Sequence, residues 1–397
     1  RILKSNDAGA GALVYDMKLG HERLVIALNT ADTETLAANI ETGLPAGTRL
    51  EEVFTLHQAG GPVHIGAGGR LALRLAPRAG HVWKIGSAGA IAAEDRALAI
   101  ETLRQHAARG RLGVAGQARG IGAFKLVLDG QQARAVEVTP DAAGRWQAEI
   151  DIASLVDARY RHEVVAWHDQ SPAPPVVSAS RHFRATPAWQ PAAVYADPAG
   201  DDAGPDGRYH YPKDPTWGTN RQMDLRKVRA WRAAGSLKIE LTAHHVTQTW
   251  RPSNGFDHVA FTVFIELPGK PGGARVMPLQ NRELPGDLRW HVRLRANGWT
   301  NALFASAGAD ARSEGTPITP GATIAADARR NSVTFTLPAD ALGNLPDLKG
   351  ARIYVTTWDY DGGYRALQPE PSGFAIGGGD GARDPLIMDD TPVLVLK

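Results

Sequence analysis

The sequence predicts an all-β chain of three antiparallel β domains. Glycine (43) and proline (26) are abundant, and the runs between them are short and alternate apolar with polar residues. Strands punctuated by turns produce that pattern, because side chains alternate across a strand while Gly and Pro mark its ends. No short-period internal repeat of the solenoid or propeller kind is present.

In chain order, runs at 13–17 and 23–29 flank the turn-like Leu19-Gly-His-Glu22 and predict a hairpin; runs at 70–75 and 81–85 supply further strands. Residues 1–86 are thereby assigned to one small antiparallel domain. Runs at 111–115, 124–129, 134–138, 146–150 and 162–167, separated by Gly and Asp turns, predict an immunoglobulin-like sandwich over 87–190. Within it, 92–108 also fits a helical period, so a helical linker stays open there. Ser171-Pro-Ala-Pro-Pro175 reads as a loop before the last strand, and Thr186-Pro-Ala-Trp-Gln-Pro191 as a stiff linker. Runs at 237–241, 259–265, 290–294, 332–337 and 352–358 predict a larger sandwich over 191–397. Trp83, Trp146 and Trp167 fall within alternating strands and are assigned to cores.

A length of 397 residues is too much for one ordinary core and agrees with two or three domains. The formal charge of +2, with no long basic run, gives no electrostatic footprint for nucleic acid or an anionic membrane. With no cysteine, disulfides, thiolate metal sites and a cysteine nucleophile are excluded. No apolar run approaches the roughly 20 residues that span a bilayer. The chain starts at Arg1 with neither an initiator Met nor a signal-peptide pattern, which reads as a fragment or processed product.

The stretch from Asp197 to Pro212 crowds carboxylates among glycines and prolines. Asp197, Asp201, Asp202 and Asp206 supply the hard oxygen ligands that calcium prefers, on a backbone bent by turn residues. The spacing is not that of an EF-hand, and a solvated turn cluster is the other reading.

Catalytic signatures are absent. His162-Glu163 is not followed by a histidine at the H-E-x-x-H spacing, no G-x-S-x-G elbow occurs, and Gly66-Ala-Gly-Gly69 and Gly377-Gly-Gly-Asp380 lack a strand-to-helix setting. His244-His245, as adjacent strand residues, would face opposite sides. Glu240, Asp257, Glu266 and Asp359 read as solvated strand positions or metal ligands. Sugar binding needs no catalytic pair: aromatic faces stack on the C–H face of a pyranose while amides and carboxylates take its hydroxyls. Trp250, Trp299, Trp358, Tyr360 and Tyr364 occupy loop or strand-end positions beside Asn254, Asn297, Asn301 and Asp359, and Trp358, Asp359, Tyr360 and Tyr364 flank the turn Asp361-Gly-Gly363.

Residues 12–85, with Ala12-Leu-Val-Tyr-Asp-Met, Glu22-Arg-Leu-Val-Ile-Ala-Leu-Asn-Thr30 and a strand near Trp83, resemble the antiparallel domain that follows the catalytic barrel in α-amylase-type enzymes, family 13 of the glycoside hydrolases. Residues 110–185 resemble the immunoglobulin-like domain of glucodextranase and related bacterial enzymes. Residues 193–397 resemble the C-terminal module of the same enzymes. Its usual opening, D-P-x-G-D-D-x-G-x-G-x-Y-x-Y-P, is matched by Asp197, Pro198, Gly200, Asp201, Asp202, Gly204, Gly207, Tyr209, Tyr211 and Pro212. Further likeness lies at Met223-Asp-Leu225, Trp358-Asp-Tyr-Asp-Gly-Gly363 and Met388-Asp-Asp390; Arg221-Gln-Met223 departs from an aromatic and Gly usual there.

The resemblance implies a non-catalytic C-terminal region of a secreted, periplasmic or cell-surface glycoside hydrolase acting on α-glucan. Its expected partners are a polysaccharide or cell-envelope polymer and a catalytic (β/α)8 barrel, upstream or on another chain; a barrel of roughly 250 residues cannot be built from these strands. Two other readings stand beside it. The chain is part of an active hydrolase whose barrel is missing or separate, or its domains are purely structural with no ligand.

Overall fold

The computed structural model describes residues 1–6, 9–20, 22–57, 60–88, 95–170, 173–218 and 220–397. It is nearly all β, as expected, with one single-turn α-helix at Pro215–Gly218 and a few 3-10 turns among the described residues. The chain forms two compact units, one of 1–152 with 157–186 and one of 187–397 with 153–156.

The first unit begins with a six-stranded antiparallel sheet, in the order Ile2–Ser5, Ala12–Leu19, Glu22–Asn29, Gly80–Ala88, Thr48–Leu56, Val63–His64. The expected hairpin is present, with Ala12 opposite Asn29 and Leu19 opposite Glu22. Alternation sends Val14, Val25, Ala27, Leu50 and Trp83 to one face, where they pack on Ile40, Leu71, Leu73 and Leu75 from the paired strands Thr35–Glu41 and Arg70–Leu75. The opposite face is also apolar. Cross-strand pairing lines up Ile2, Tyr15, Ile26, Val82 and Phe54 in one row across five strands, and Leu13, Leu28, Gly80 and Leu56 in the next. On this face Phe54 is 59% exposed, and Leu19, at the end of its strand, is 83% exposed.

The rest of the unit is a sandwich. A three-stranded sheet (Ala97–His106, Arg111–Arg119, Arg145–Asp151) accompanies a five-stranded one (Phe124–Leu128, Val136–Val138, His162–Gln170, Ala173–Val177, Arg181–Phe183), and Phe124 meets Trp146 edge-on at 5.1 Å. Two expectations are corrected here. From Ala97 onward the helical alternative for 92–108 gives way to a strand paired along Arg111–Arg119, while 92–94 lie outside the described residues. The prolines at 174 and 175 sit inside a strand that pairs with His162–Gln170 on one side; an edge position tolerates the missing N–H. Ser171 and Pro172 lie outside the described residues. Leu36 and Ala38 of the first sheet region pack with Val127, Val165 and Trp167 of the sandwich, Lys4 pairs with Glu163 at 2.6 Å, and the Asn39 amide donates to Ser178 O and Ser180 Oγ. Shared apolar contacts and hydrogen bonds therefore join the two parts.

The second unit is a larger sandwich. One sheet runs Gln190–Ala196, Leu225–Ala233, Ser236–Ala243, Ser332–Leu337, Thr323–Asp327; the other runs Thr316–Ile318, Asn301–Ala305, Val292–Ala296, Ala260–Glu266, Arg352–Trp358, Asp389–Asp390, with Leu394–Val395 also on Arg352–Trp358. Val228, Ile239, Leu241, Val333 and Phe335 pack against Phe261, Val263, Leu294, Ile353 and Val355 between them. Ala260–Glu266 reads as an almost unbroken apolar run because its other face is covered too: Phe264, Trp290, Tyr354 and Ile387 form a smaller core there. Pairing of Ala260 with Trp358 and of Phe261 with Ala296 places the loops after Val292–Ala296 and Arg352–Trp358, and the loop leading into Ala260–Glu266, at one end of this sheet.

Candidate functional site

The strand Gln190–Ala196 delivers Asp197 into the carboxylate-rich loop, whose bends are made by glycines in the left-handed region. At Gly204 (φ +75°) a Cβ would lie 2.2 Å from the Tyr209 ring, so only glycine permits the approach. Asp197 and Asp201 converge with Asp389, from the strand Asp389–Asp390; the three offer carboxylate oxygens all within 4.8 Å of one another. Asp197 is 8% exposed, and neither of its oxygens has a donor at hydrogen-bonding geometry; the nearby Tyr195 phenol only partly offsets the other influences on it. Asp389 is aimed by two backbone donors, Leu225 N–H on Oδ2 and Asp390 N–H on Oδ1, both at 2.7 Å.

Burial, then the charge of Asp201, pushes Asp197 up to about 7; burial, then the charge of Asp197, pushes Asp389 up to about 8. Two buried carboxylates, one with both oxygens orphaned, held against the exposed Asp201 make a site that a hard divalent cation would relieve. The all-oxygen donor set suits calcium or magnesium and not a soft transition metal. Beside it, Asp224 turns Oδ1 to the Gly200 N–H (3.4 Å) and leaves Oδ2 buried, 3.8 Å from Arg221, Arg226 and His244.

Of the four aspartates expected as ligands, the structure brings together Asp197 and Asp201. Asp202 is turned away into an ion pair with Arg221 and accepts the Tyr211 hydroxyl at 2.6 Å, while Asp206 is exposed, 3.7 Å from Arg208. Arg221 stands where the chain departs from the resemblance, and its guanidinium takes the carboxylate of Asp202. Asp389 falls within the Met388-Asp-Asp390 likeness, but its place beside Asp197 and Asp201 had no local signal, because those partners lie at the other end of the unit. His244 and His245 follow the strand Ser236–Ala243 and lie outside it.

The loop end of the sandwich carries the aromatic residues. Trp250 is 61% and Trp299 56% exposed, and their loops are locked together: Asn254 N–H donates to Gly298 O at 2.9 Å, and the Asn254 amide to Asn297 O at 2.7 Å. Asn297 in turn caps the Trp299 turn, its Oδ1 accepting the N–H of Trp299 and of Thr300. A Cβ at Gly298 would lie 2.6 Å from Phe256 O, so the contact requires glycine. The Asn301 amide turns to Ala322 O.

Trp358 is a correction. It is 1% exposed, donates its indole N–H to Arg365 O and packs edge-on to Tyr209, so it belongs to the core and offers no face for stacking. Tyr364 also packs on that core, and Tyr360 is half-buried with the Arg295 guanidinium 3.9 Å from its ring. Asp359 and Asp257, expected as solvated strand positions or metal ligands, are both buried among protein partners. Asp359 accepts the Trp217 indole N–H at 3.1 Å and pairs with Arg365. Asp257 accepts Thr247 Oγ1 at 2.5 Å and Trp250 N–H at 2.7 Å; burial alone would raise its pKa, and His258, Thr247 and Trp250 together lower it. Glu240 and Glu266 form ion pairs with Arg229 and Arg352. Sequence reasoning missed Phe374, 62% exposed at this end, and His258, whose role depends on partners that sequence spacing does not disclose.

The family model of the C-terminal, SLH-like binding module of glucodextranase matches residues 193–392, half of the chain. The chain belongs to this family. Its second unit is thus a binding module of the glucodextranase type, in line with the match of the Asp197 to Pro212 opening. No curated protein matches the chain.

Proposed function

We propose that this chain is a non-catalytic, carbohydrate-binding region of a secreted or cell-surface α-glucan-acting hydrolase, and that its glucodextranase-type module holds the enzyme to polysaccharide or cell-envelope polymer. The observation that carries this is the pair of exposed indoles, Trp250 and Trp299, on interlocked loops at one end of a module of this family. Rigid, exposed aromatic faces stack on sugar rings with little conformational entropy to lose. Tethering raises the local concentration of substrate without new chemistry.

Asp197, Asp201 and Asp389 would hold a calcium ion, which would tie the loop entering the module to its last strands. It would supply charge neutralisation and cross-linking of these segments, with no catalytic step.

The first unit supports a second role, as a cap on a catalytic (β/α)8 barrel. On the sheet face running through Ile2, Tyr15, Ile26, Val82 and Phe54, the residues Ile2, Phe54 and Leu56 are exposed while Ile26 in the middle of the row is buried, and the exposed apolar residues are the kind of surface that a barrel exterior buries. Affinity electrophoresis against starch, pullulan, dextran and cell-wall fractions tests the binding role: retardation by one polymer supports it, and unretarded migration in all of them leaves the structural role.

A further inference from the structure

Phe374 and Trp250 are the outer members of a chain of rings. Phe374 meets Trp217 edge-on at 6.0 Å, Trp217 meets His258 at 4.3 Å, and the Trp250 indole N–H donates to His258 Nε2 at 3.3 Å. The inner two are buried and the outer two expose most of their surface. Each inner ring is fixed by polar contacts: Trp217 by its bond to Asp359 and by the Arg365 guanidinium 4.8 Å from its ring, His258 by Thr216 Oγ1 at 3.0 Å and by Asp257, 2.9 Å from Nδ1.

The outer two are held as firmly. The turn bearing Phe374 is pinned to the Lys213–Asp214 backbone through Ser372 O and Gly373 O, and Phe374 O accepts from Arg365 at 3.0 Å. The loop of Trp250 is held by Asp257, with Arg251 (φ +50°) and His258 (φ +63°) both in the left-handed region that costs a non-glycine residue energy. An indole whose N–H is used internally has only its face left for a ligand.

We propose that Phe374 and Trp250 are two ends of one extended saccharide platform, spaced by the buried Trp217–His258 pair, so that the module takes a chain of several sugar units and not a single sugar. The proposal rests on the reading that this end of the sandwich binds carbohydrate. His258 is a positioning residue: it accepts the Trp250 N–H and so sets the plane of that ring.

Calorimetric titration of the full chain with glucose and with malto- and isomalto-oligosaccharides of increasing length tests this. Affinity should rise with length in one series, and Phe374→Ala and Trp250→Ala should each weaken the longest ligand roughly three- to tenfold, toward the affinity of the short ones. His258→Ala should weaken the longest ligand as well and shift the Trp250 indole N–H resonance in NMR, whereas His258→Gln, which keeps an acceptor, should restore both. Length-independent affinity, or wild-type affinity in Phe374→Ala, overturns the extended platform. Binding that needs Trp250 and Trp299 but not Phe374 overturns it while leaving the carbohydrate reading intact. No binding to any saccharide overturns both.

Discussion

Asp197 and Asp389, from opposite ends of the second unit, bring carboxylate oxygens within 4.8 Å of each other, with Asp201 beside them. The strand Asp389–Asp390 pairs with Arg352–Trp358 at the core of one sheet, whereas Asp197 closes the first strand of the other. The acidic cluster is therefore a point where segments leading from both sheets meet.

If the cluster holds calcium, chelation should lower the thermal midpoint, because a ligand that binds only the folded state stabilises it by mass action. Asp197→Asn should abolish the calcium-dependent rise and, in chelator, raise the midpoint above wild type by removing one of the crowded charges. Scanning calorimetry of both proteins with and without chelator reads the two effects; a midpoint indifferent to calcium in the wild type contradicts the site.

The metal-free protein should have a characteristic pH dependence. Asp197 and Asp389 have folded pKa values raised above the ordinary 3.8, so between about pH 4 and about 8 the folded state retains protons that the unfolded state has lost. Their contribution to stability therefore falls as pH rises through that window. The pair titrates as a unit, so the slope should be compared between wild type and Asp197→Asn in chelator; equal slopes contradict it.

The tryptophans should divide by burial. Trp358→Ala should cost about 3 kcal/mol or more in chemical denaturation, as loss of a large buried side chain does. Trp250→Ala and Trp299→Ala should change stability by under about 1 kcal/mol and weaken polymer retention. A destabilising Trp299→Ala would mean that its exposed ring is structural.

The exposed apolar residues on one sheet face of the first unit, Ile2, Phe54 and Leu56, should bind a hydrophobic dye such as ANS. A Phe54→Ser, Leu56→Ser variant should lose most of that fluorescence while keeping its far-UV circular dichroism. Dye fluorescence unchanged in the variant contradicts an exposed apolar face.

Much of the fold was legible because strand patterns are a local signal: the hairpin of Ala12–Leu19 with Glu22–Asn29 and the strand Ala260–Glu266 could both be read from their own residues, though not that the latter is covered on both faces. The edge strand carrying Pro174 and Pro175 was not, because proline content alone does not say that one side of a strand lacks a neighbour. The candidate site was half legible. Asp197 and Asp201 sit in a turn-rich motif, but Asp389 joins them only through sheet pairing, and the departure of Asp202 follows from Arg221. Trp358 beside a Gly-Gly turn looked like a loop platform, yet it is the last residue of a central strand and its ring faces Tyr209.

The most direct test of the central claim is affinity electrophoresis of the full chain in gels containing starch, pullulan, dextran or purified cell-wall polymer, with calcium present. Retardation by at least one polymer is expected, lost in a Trp250→Ala, Trp299→Ala variant that still folds. Unretarded migration in every gel, or retardation unchanged in that variant, would contradict it.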